Sequence, residues 1–534
     1  MSHADPTPPA KPFRVIIVGG GIVGLTLSHA LQLGDIDHVV LEKHKEIISV
    51  RGAALVLWPG VLRVFDQFGF LKKILDSTTP LSAEYRRWPD GSVNSMGNMV
   101  QEFGRLFEVP MVLFDRQSCV THLYENLPDK SKIHTGKKLE RIEHTDTGVR
   151  VYLADGSVEE GDMVVGADGV HSMTRKLMWD YAEATSPGSI PATDKNIMIS
   201  EFSAIFGVST QEERFGLGPA DSHVIFGHGD TKLLFTQPGK AYWALGYKSA
   251  SGDAKGKASE EEVEAVAKKY ADMPFTETVK LRDLWETRTR SGVLTIEEGV
   301  LTTWHAGRIV LVGDSAHKMT ADLGMGANIA IESAIHLANL LHRQLSPNKQ
   351  QHPPASTLHT LFAQYQKERY KRASIFADLS GKTTRMHAYQ SLLGRIYAGY
   401  LEPLLAPYQL RSFAESFGAA PKLDFVPLSV VDEGAEGWAM GRRMMSVEEE
   451  RKKKKKRMEE GGGKGGWSGL NYPNIQTDIV IRRRRNRINR SIDSQRLAAT
   501  RGSHPWRDVI VLHHGPDFSQ LHVGNCFWVQ DLVC

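Results

Sequence analysis

Residues 13–42 constrain this chain more than any other segment. Phe13-Arg14-Val15-Ile16-Ile17-Val18 is β-branched and nearly all apolar, and three glycines follow it at once. A run this apolar predicts a parallel strand buried on both faces. Ile22 to Leu33 reads as a helix and His38-Val39-Val40-Leu41-Glu42 as a second strand, which makes a strand–helix–strand unit. Between them lies Gly19-Gly20-Gly21-Ile22-Val23-Gly24, a G-x-G-x-x-G. Gly19 permits the tight turn, Gly21 lets a pyrophosphate approach the backbone, and Gly24 allows close helix–strand packing. The helix N-terminus then offers unpaired N–H groups to phosphates. Glu42 ends the second strand, where its carboxylate can accept hydrogen bonds from ribose hydroxyls. Two negative charges would meet if that ribose carried a 2′-phosphate, so Glu42 argues against one. The expectation is a dinucleotide-binding α/β unit. The pattern alone does not separate FAD from NAD.

Two further apolar strands are predicted, Asp162 to Ala167 and Arg308 to Gly313, each running into a glycine and an aspartate. A helix over Ala327 to Arg343 follows the second. Between them, from about Asn196 to Lys248, the pattern changes. Thr231-Lys-Leu-Leu-Phe235, a Pro238-Gly239 turn and Ala241-Tyr-Trp-Ala-Leu-Gly-Tyr247 read as an antiparallel hairpin. Glu260 to Met273 reads as a helix, and Thr357 to Phe417 as mostly helix. A parallel nucleotide-binding domain is thus interrupted in sequence by an antiparallel sheet.

Charge separates the body of the chain from its end. From Ser446 to Cys534 there are 17 Lys or Arg and 10 Asp or Glu, whereas Met1 to Met445 carries 48 basic and 52 acidic residues. The body gives no electrostatic reason to expect nucleic acid as a partner. The runs Arg451 to Arg457, Gly461 to Gly466 and Arg482 to Arg485 cannot bury a core, so this tail is expected to be disordered. Three cysteines, Cys119, Cys526 and Cys534, make no disulfide framework and point to a reducing, cytoplasmic setting. No signal-peptide pattern opens the chain. The most apolar stretch, Leu392 to Leu410, is broken by Arg395 and Glu402. That pattern disfavours a membrane span and leaves peripheral membrane association as the alternative.

Three motifs together carry a family resemblance. The first is the glycine turn. The second, Asp162-Met-Val-Val-Gly166-Ala-Asp168-Gly169-Val-His-Ser172-Met-Thr-Arg175, looks like the DG motif of class A flavoprotein monooxygenases, and Gly313-Asp314-Ser315-Ala316-His317 looks like their GD motif. His317-Lys-Met-Thr320, Leu323-Gly-Met-Gly-Ala-Asn328, Gly52-Ala-Ala54 with Trp58-Pro-Gly60, and Phe114-Asp-Arg-Gln117 are similar to the fungal FAD-dependent monooxygenases that epoxidise prenyl chains of indole diterpenes and meroterpenoids. The resemblance covers roughly Lys11 to Val431.

The resemblance implies an α/β fold: a Rossmann-type FAD-binding domain interrupted by an antiparallel-sheet substrate domain, with a helical C-terminal segment and a disordered tail. The boundaries read as 11–180 (FAD-binding, with some substrate-domain strands), 181–300 (mainly substrate sheet), 301–345 (FAD-binding), 355–431 (helical) and 446–534 (tail). It implies FAD contacts at Glu42, Val56, Arg116, Asp314 and Ala327, beside Gly19, Gly21 and Gly24, with Gly326 opening a helix toward the flavin ring. Asp168 is expected to position its loop, and His317 to pack and hydrogen-bond beside the flavin. NAD(P)H is the expected co-substrate and O₂ the oxidant. The expected substrate is a small isoprenoid whose alkene is epoxidised.

Aromatic hydroxylation is the alternative reaction, and a flavin-binding protein that no longer turns over the alternative from another class. No catalytic side chain, metal-ligand cluster or protein partner is assigned.

The chain departs from the family pattern at Val56, where glycine is common, at Ala321 for proline and at Met325 for glutamine. Glu201-Phe202-Ser203 replaces a Glu-Tyr-Arg-like triplet, which removes a relay that would activate a phenol and so favours an alkene. Phe235, Trp243 and Tyr247 are candidate cavity walls. The tail matches nothing in the family and resembles a mis-predicted exon or a retained intron. Ending the chain after Met445 is therefore expected to leave flavin content and melting temperature within error. Loss of flavin or of folding in that shortened protein would make the tail part of the structure.

Overall fold

The structure, a computed structural model, describes residues 12–48, 52, 54–249, 258–346 and 352–460, with side chains described as far as 453. At its centre, β1 (Arg14–Val18) runs parallel to β2 (Asp37–Glu42) on one side and to the strand Met163–Gly166 on the other. Ile309–Leu311 and Ile133–Thr135 extend the sheet in parallel, and His305–Ala306 closes one edge antiparallel. Val15, Ile16 and Ile17 are fully buried, as strands covered on both faces require. The first helix, α1 (Ile22–Leu33), covers one face together with the helix Gly326–Leu345. The central strand ends and helix bounds fall within a few residues of those read from the sequence.

A second sheet has eight strands. Three segments of the chain supply it: β3 (Ala54–Leu57) lies outside it, but β4 (Ala83–Arg87) and β5 (Val93–Gly97) belong to it. The strands Ile199–Thr210, Asp221–Ile225, Asp230–Gln237, Lys240–Lys248 and Arg288–Val300 form its body, and His317–Lys318 its far edge. Every pairing is antiparallel except β4 with Asp221–Ile225. The hairpin at Pro238-Gly239 forms as expected, with Leu234 opposite Trp243.

The two sides of the hairpin differ from the expectation. Phe235 faces the cavity described below. Trp243 also contributes to the lining, while its indole packs in a second core with Phe275, Leu281 and Leu284. Tyr247 belongs to that second core and not to the cavity. The Trp243 indole donates to Ser209 Oγ at 2.7 Å there. Both faces of this sheet are covered, so aromatic side chains pack on either, and an aromatic identity does not tell the side.

The C-terminal helices are Ala355–His387, Leu392–Ile396 and Glu402–Gly418, the last two joined by a π-helical turn at Tyr397–Leu401. Helix Glu436–Glu460 follows. The chain divides into two units between Arg451 and Lys452. The expected disorder from 446 is corrected over 446–460, which is helical. Glu448, Glu449 and Glu450 precede lysines by four residues there, a spacing that supports a helix. The remainder of the tail, 461–534, lies outside the described residues.

One buried ion set joins the helix Gly326–Leu345 to the helix Ala355–His387. Glu332 accepts from Arg369 Nη2 at 3.0 Å and from Arg372 Nε and Nη2 at 2.6 and 2.8 Å. Burial alone would raise the Glu332 carboxyl. The two guanidiniums more than offset it and hold the group below the usual carboxylate range. Its contribution is therefore present above the unfolded carboxylate pKa and is lost on acidification. Glu332→Ala leaves two cations without their anion and is expected to cost about 3–5 kcal/mol, read as a fall in the denaturant midpoint. A variant as stable as wild type would refute that weight.

Candidate functional site

The glycine turn after β1 is set by backbone contact. Gly19 has φ +110°, and a Cβ there would lie 2.5 Å from the Ala167 carbonyl oxygen. A Cβ on Gly24 would lie 1.9 Å from the Gly19 carbonyl oxygen. Gly21 differs: a Cβ would meet nothing within 4 Å, and no side chain caps the helix that starts there. Free N–H groups thus face open space, the arrangement that receives a phosphate. Glu42 Oε2 accepts from Gly20 N at 2.8 Å and Oε1 from His44 N at 2.9 Å. Each oxygen keeps acceptor capacity for a ribose hydroxyl.

The DG and GD motifs lock to one another. Asp168 accepts from Ser172 Oγ at 2.5 Å and from Thr174 N and Oγ1 at 2.9 and 3.0 Å, so its carboxylate shapes the loop. Arg175 donates to the Val170 carbonyl at 2.6 Å and to the Ser315 carbonyl at 3.0 Å. Gly313, with φ +68°, packs between Val23 of α1 and Ala330. Asp314 pairs with Lys318 Nζ at 2.6 Å. Burial lowers the Lys318 ammonium, and the Asp314 carboxylate outweighs that and leaves it raised. Arg116 begins the helix Arg116–Glu125 and lies over Gly52, where a Cβ would come 2.8 Å from Arg116 Cδ. Its charge also reaches Lys318. His317 is fully buried, bonds Ser333 Oγ at 3.1 Å, and burial lowers it to about 4. A neutral, packed imidazole is the result.

Beside these residues opens a cavity of about 470 Å³. Val56, Gly324, Gly326 and Ala327 line one part of it. No side chain caps the helix that Gly326 opens, so its first N–H groups also point outward unpaired. A Cβ on Gly326 would meet only Met319 Cγ, at 3.8 Å. The Trp58 indole N–H is buried at this wall without a partner. Two uncapped helix starts, open space at Gly21 and an orphaned indole donor are features that fit an FAD.

Asn328 was not singled out in the sequence, yet it holds this wall together. Its Nδ2 donates to the carbonyls of Val56 and Gly324, both at 2.8 Å, and its Oδ1 accepts from Trp58 N at 3.0 Å. One side chain thereby joins β3 to the loop 321–325. Val56 takes part in this clamp through its backbone carbonyl and not through its side chain.

The rest of the cavity is largely aliphatic and aromatic, with Leu113, Leu233, Phe235, Met386, Phe413 and Phe417 in its walls. It also carries a polar set that the sequence reading missed. Asp322 accepts from Thr231 at 3.0 Å and Thr384 at 2.5 Å, and lies 3.3 Å from His387 Nδ1. His387 Nε2 lies 3.9 Å from Glu402 Oε2, which is buried without a hydrogen bond, and Glu402 Oε1 accepts from Arg86 Nε at 3.4 Å. Burial and the Asp115 carboxylate push the nearby Tyr242 phenol up to about 12, so it stays protonated.

Conversely, Glu201-Phe202-Ser203 does not line the cavity. Glu201 pairs with Arg385, Phe202 is buried, and Ser203 bonds Ser249. The absence of a relay at those positions therefore carries no information about the substrate.

A family model described as an FAD binding domain matches residues 13–378. The FAD-dependent monooxygenase esdpE of Penicillium shearii is 35% identical over 434 residues, covering 80% of this chain and 89% of that protein. The FAD-dependent monooxygenase ausM of Penicillium brasilianum is 35% identical over 434 residues, covering 80% and 90%. Among solved structures, Klebsiella pneumoniae HpxO complexed with FAD and uric acid aligns with a TM-score of 0.62 at 19% identity, over 77% of this chain and 97% of that one. CtdE in complex with FAD and substrate 4 aligns with a TM-score of 0.57 at 19% identity, over 70% and 90%. At such identities the two structures speak to the fold.

Two substitutions test the cradle. Asp314→Ala and Asn328→Ala are each expected to weaken FAD binding by about 1–3 kcal/mol, measured by flavin fluorescence titration. A correctly folded, colourless wild-type protein that ignores added FAD would refute the site itself.

Proposed function

Because the chain belongs to the FAD-dependent monooxygenases that share this FAD binding domain, with FAD as cofactor and NAD(P)H as the class's usual co-substrate, we propose that it epoxidises a prenyl alkene of a fungal secondary metabolite, a meroterpenoid or an indole diterpene. We place the FAD contacts at Gly19, Gly21, Gly24, Glu42, Val56, Arg116, Asp314, Gly326 and Ala327. The observation that carries the reaction is the cavity beside Gly326, whose walls suit an isoprenoid chain better than a small charged acid. The enzyme acts in the cytoplasm, in association with a membrane surface from which such a substrate is drawn.

Bound FAD, reduced by NAD(P)H, supplies the activation of O₂. The protein's own residues do the rest. Phe235, Phe413 and Phe417 exclude water and orient the alkene. The free N–H groups at Gly326 put positive potential on the wall where they would face the bound cofactor. Lys318, raised by Asp314, adds a fixed cation to the same wall. An alkene's π bond is already nucleophilic, so no side chain need take a proton from the substrate.

The pair His387–Asp322 supports a second reading, aromatic hydroxylation, because a cavity-wall imidazole held by a carboxylate can accept a phenolic proton. The experiment is turnover with NAD(P)H under ¹⁸O₂, screened against prenylated aromatics and indole diterpenes. Epoxidation puts the label in an oxirane. Hydroxylation confined to an aromatic ring, or oxygen taken from water, would overturn it. His387→Gln sharpens the choice. It is expected to leave kcat for an alkene within a few-fold, whereas a phenol hydroxylase would lose about 10²–10⁴.

A further inference from the structure

The helices that close the cavity have an outer side that nothing in the described residues covers. From Leu392 to Gly418 the chain is helical throughout. Its inner side, with Tyr397, Gln409, Phe413 and Phe417, lines the cavity. Its outer side shows Leu392, Ile396, Tyr400, Leu404 and Tyr408, spaced every four residues, together with Leu393 and Leu401. Leu392, Leu404 and Tyr408 are 72%, 71% and 77% exposed. Seven of the nineteen large hydrophobic side chains that are exposed in the described part of the chain fall within 392–408, and the others are scattered. Single exposed apolar residues are ordinary, whereas a contiguous stripe marks an interaction surface.

We propose that this outer face, Leu392 to Tyr408, rests in the interface of a lipid bilayer and sets the cavity against it. The inference deepens the membrane-surface part of the proposed function and rests on it. Three observations select lipid as the occupant. Glu402, the acid in this stretch, is turned inward to Arg86, so the exposed charges from 391 to 411 are the basic Arg395 and Arg411, of which Arg411 also leans on Glu415. Arg395 within the apolar stripe and Arg411 beyond its end offer cationic groups to anionic headgroups. Tyr400 and Tyr408 are of the type that sits at the headgroup level. The same helices form the cavity wall, so an isoprenoid partitioned into the bilayer lies one helix thickness from the site. No helix among the described residues is long and apolar enough to cross a membrane, which leaves lying on the surface as the mode.

The β4–β5 hairpin braces this face. Asn94 Nδ2 donates to the Gly399 carbonyl at 3.0 Å, and a Cβ on Gly399 would come 2.8 Å from the Trp88 ring. Trp88 and Tyr400 rings lie 5.6 Å apart.

The test is co-sedimentation of the full-length holoprotein with phosphatidylcholine vesicles, with and without phosphatidylserine, at high salt so that the basic tail is screened. Wild type should pellet with vesicles. The variant Leu393→Asp/Leu404→Asp/Tyr408→Asp should lose at least about tenfold in partitioning. All three positions are exposed, so flavin content and melting temperature should match wild type. Failure of wild type to pellet with either vesicle overturns the proposal. So does a variant that pellets equally well, or one whose only defect is the loss of a concentration-dependent dimer, which would assign the face to a second copy. The labelled-product experiment decides epoxidation separately, so either reading can fail without the other.

Discussion

Where the chain leaves β1, the Gly19 carbonyl lies so near Gly24 that no side chain fits between them. That backbone contact sets the angle at which α1 leaves the sheet, and much else inherits it. The helix start at Gly21 opens onto free space only because the turn is this tight. Gly19 also touches Ala167, so the same turn fixes the strand that delivers Asp168, and through Arg175 the carbonyl of Ser315. Gly313 then packs on Val23 of the same helix. Three motifs, at 19–24, 162–175 and 313–317, therefore share one backbone junction.

The second sheet is tied to this junction without a linker. Its far edge is His317–Lys318, the residues that follow the GD turn directly, paired with Gly299 and Val300. Lys318 bonds Asp314 from that edge. A shift of the sheet would therefore carry the Lys318 charge with it. The opposite wall has its own clamp in Asn328, whose amide joins β3 to the loop 321–325. The cavity lies between a strand edge and a clamped loop, both fixed to the cofactor-binding part.

Legibility in the sequence followed the distance over which each feature is encoded. β1, α1 and β2 were readable because their periodicity and glycines are local, and the two later strands because each is an apolar run ending in a short motif. The cavity's polar set was not, since Arg86, Asp322, His387 and Glu402 come from four elements that meet only in the folded chain. Tyr247 packs in the second core and not at the cavity, because a sheet covered on both faces gives no polar–apolar contrast to orient its residues. Phe202-Ser203 misled for a related reason. Its motif position suggested the reaction centre, whereas the strand turns Glu201 to Arg385 and buries Phe202 away from the cavity. The strand Arg288–Val300 escaped notice because charged and small residues dilute its alternation.

The helical roof differs from the rest of the cavity in what depends on it. Asn328, Lys318 and the loop 321–325 lie on the wall that carries the GD motif and the helix start at Gly326, and a change in them would disturb both. Tyr397, Gln409, Phe413 and Phe417 come from one late, continuous stretch of chain that contributes to neither the glycine turn nor the GD motif. Mutations there would reshape that wall of the cavity without touching either motif. This segment is therefore a unit that can be exchanged between two related chains without altering the glycine turn or the GD motif.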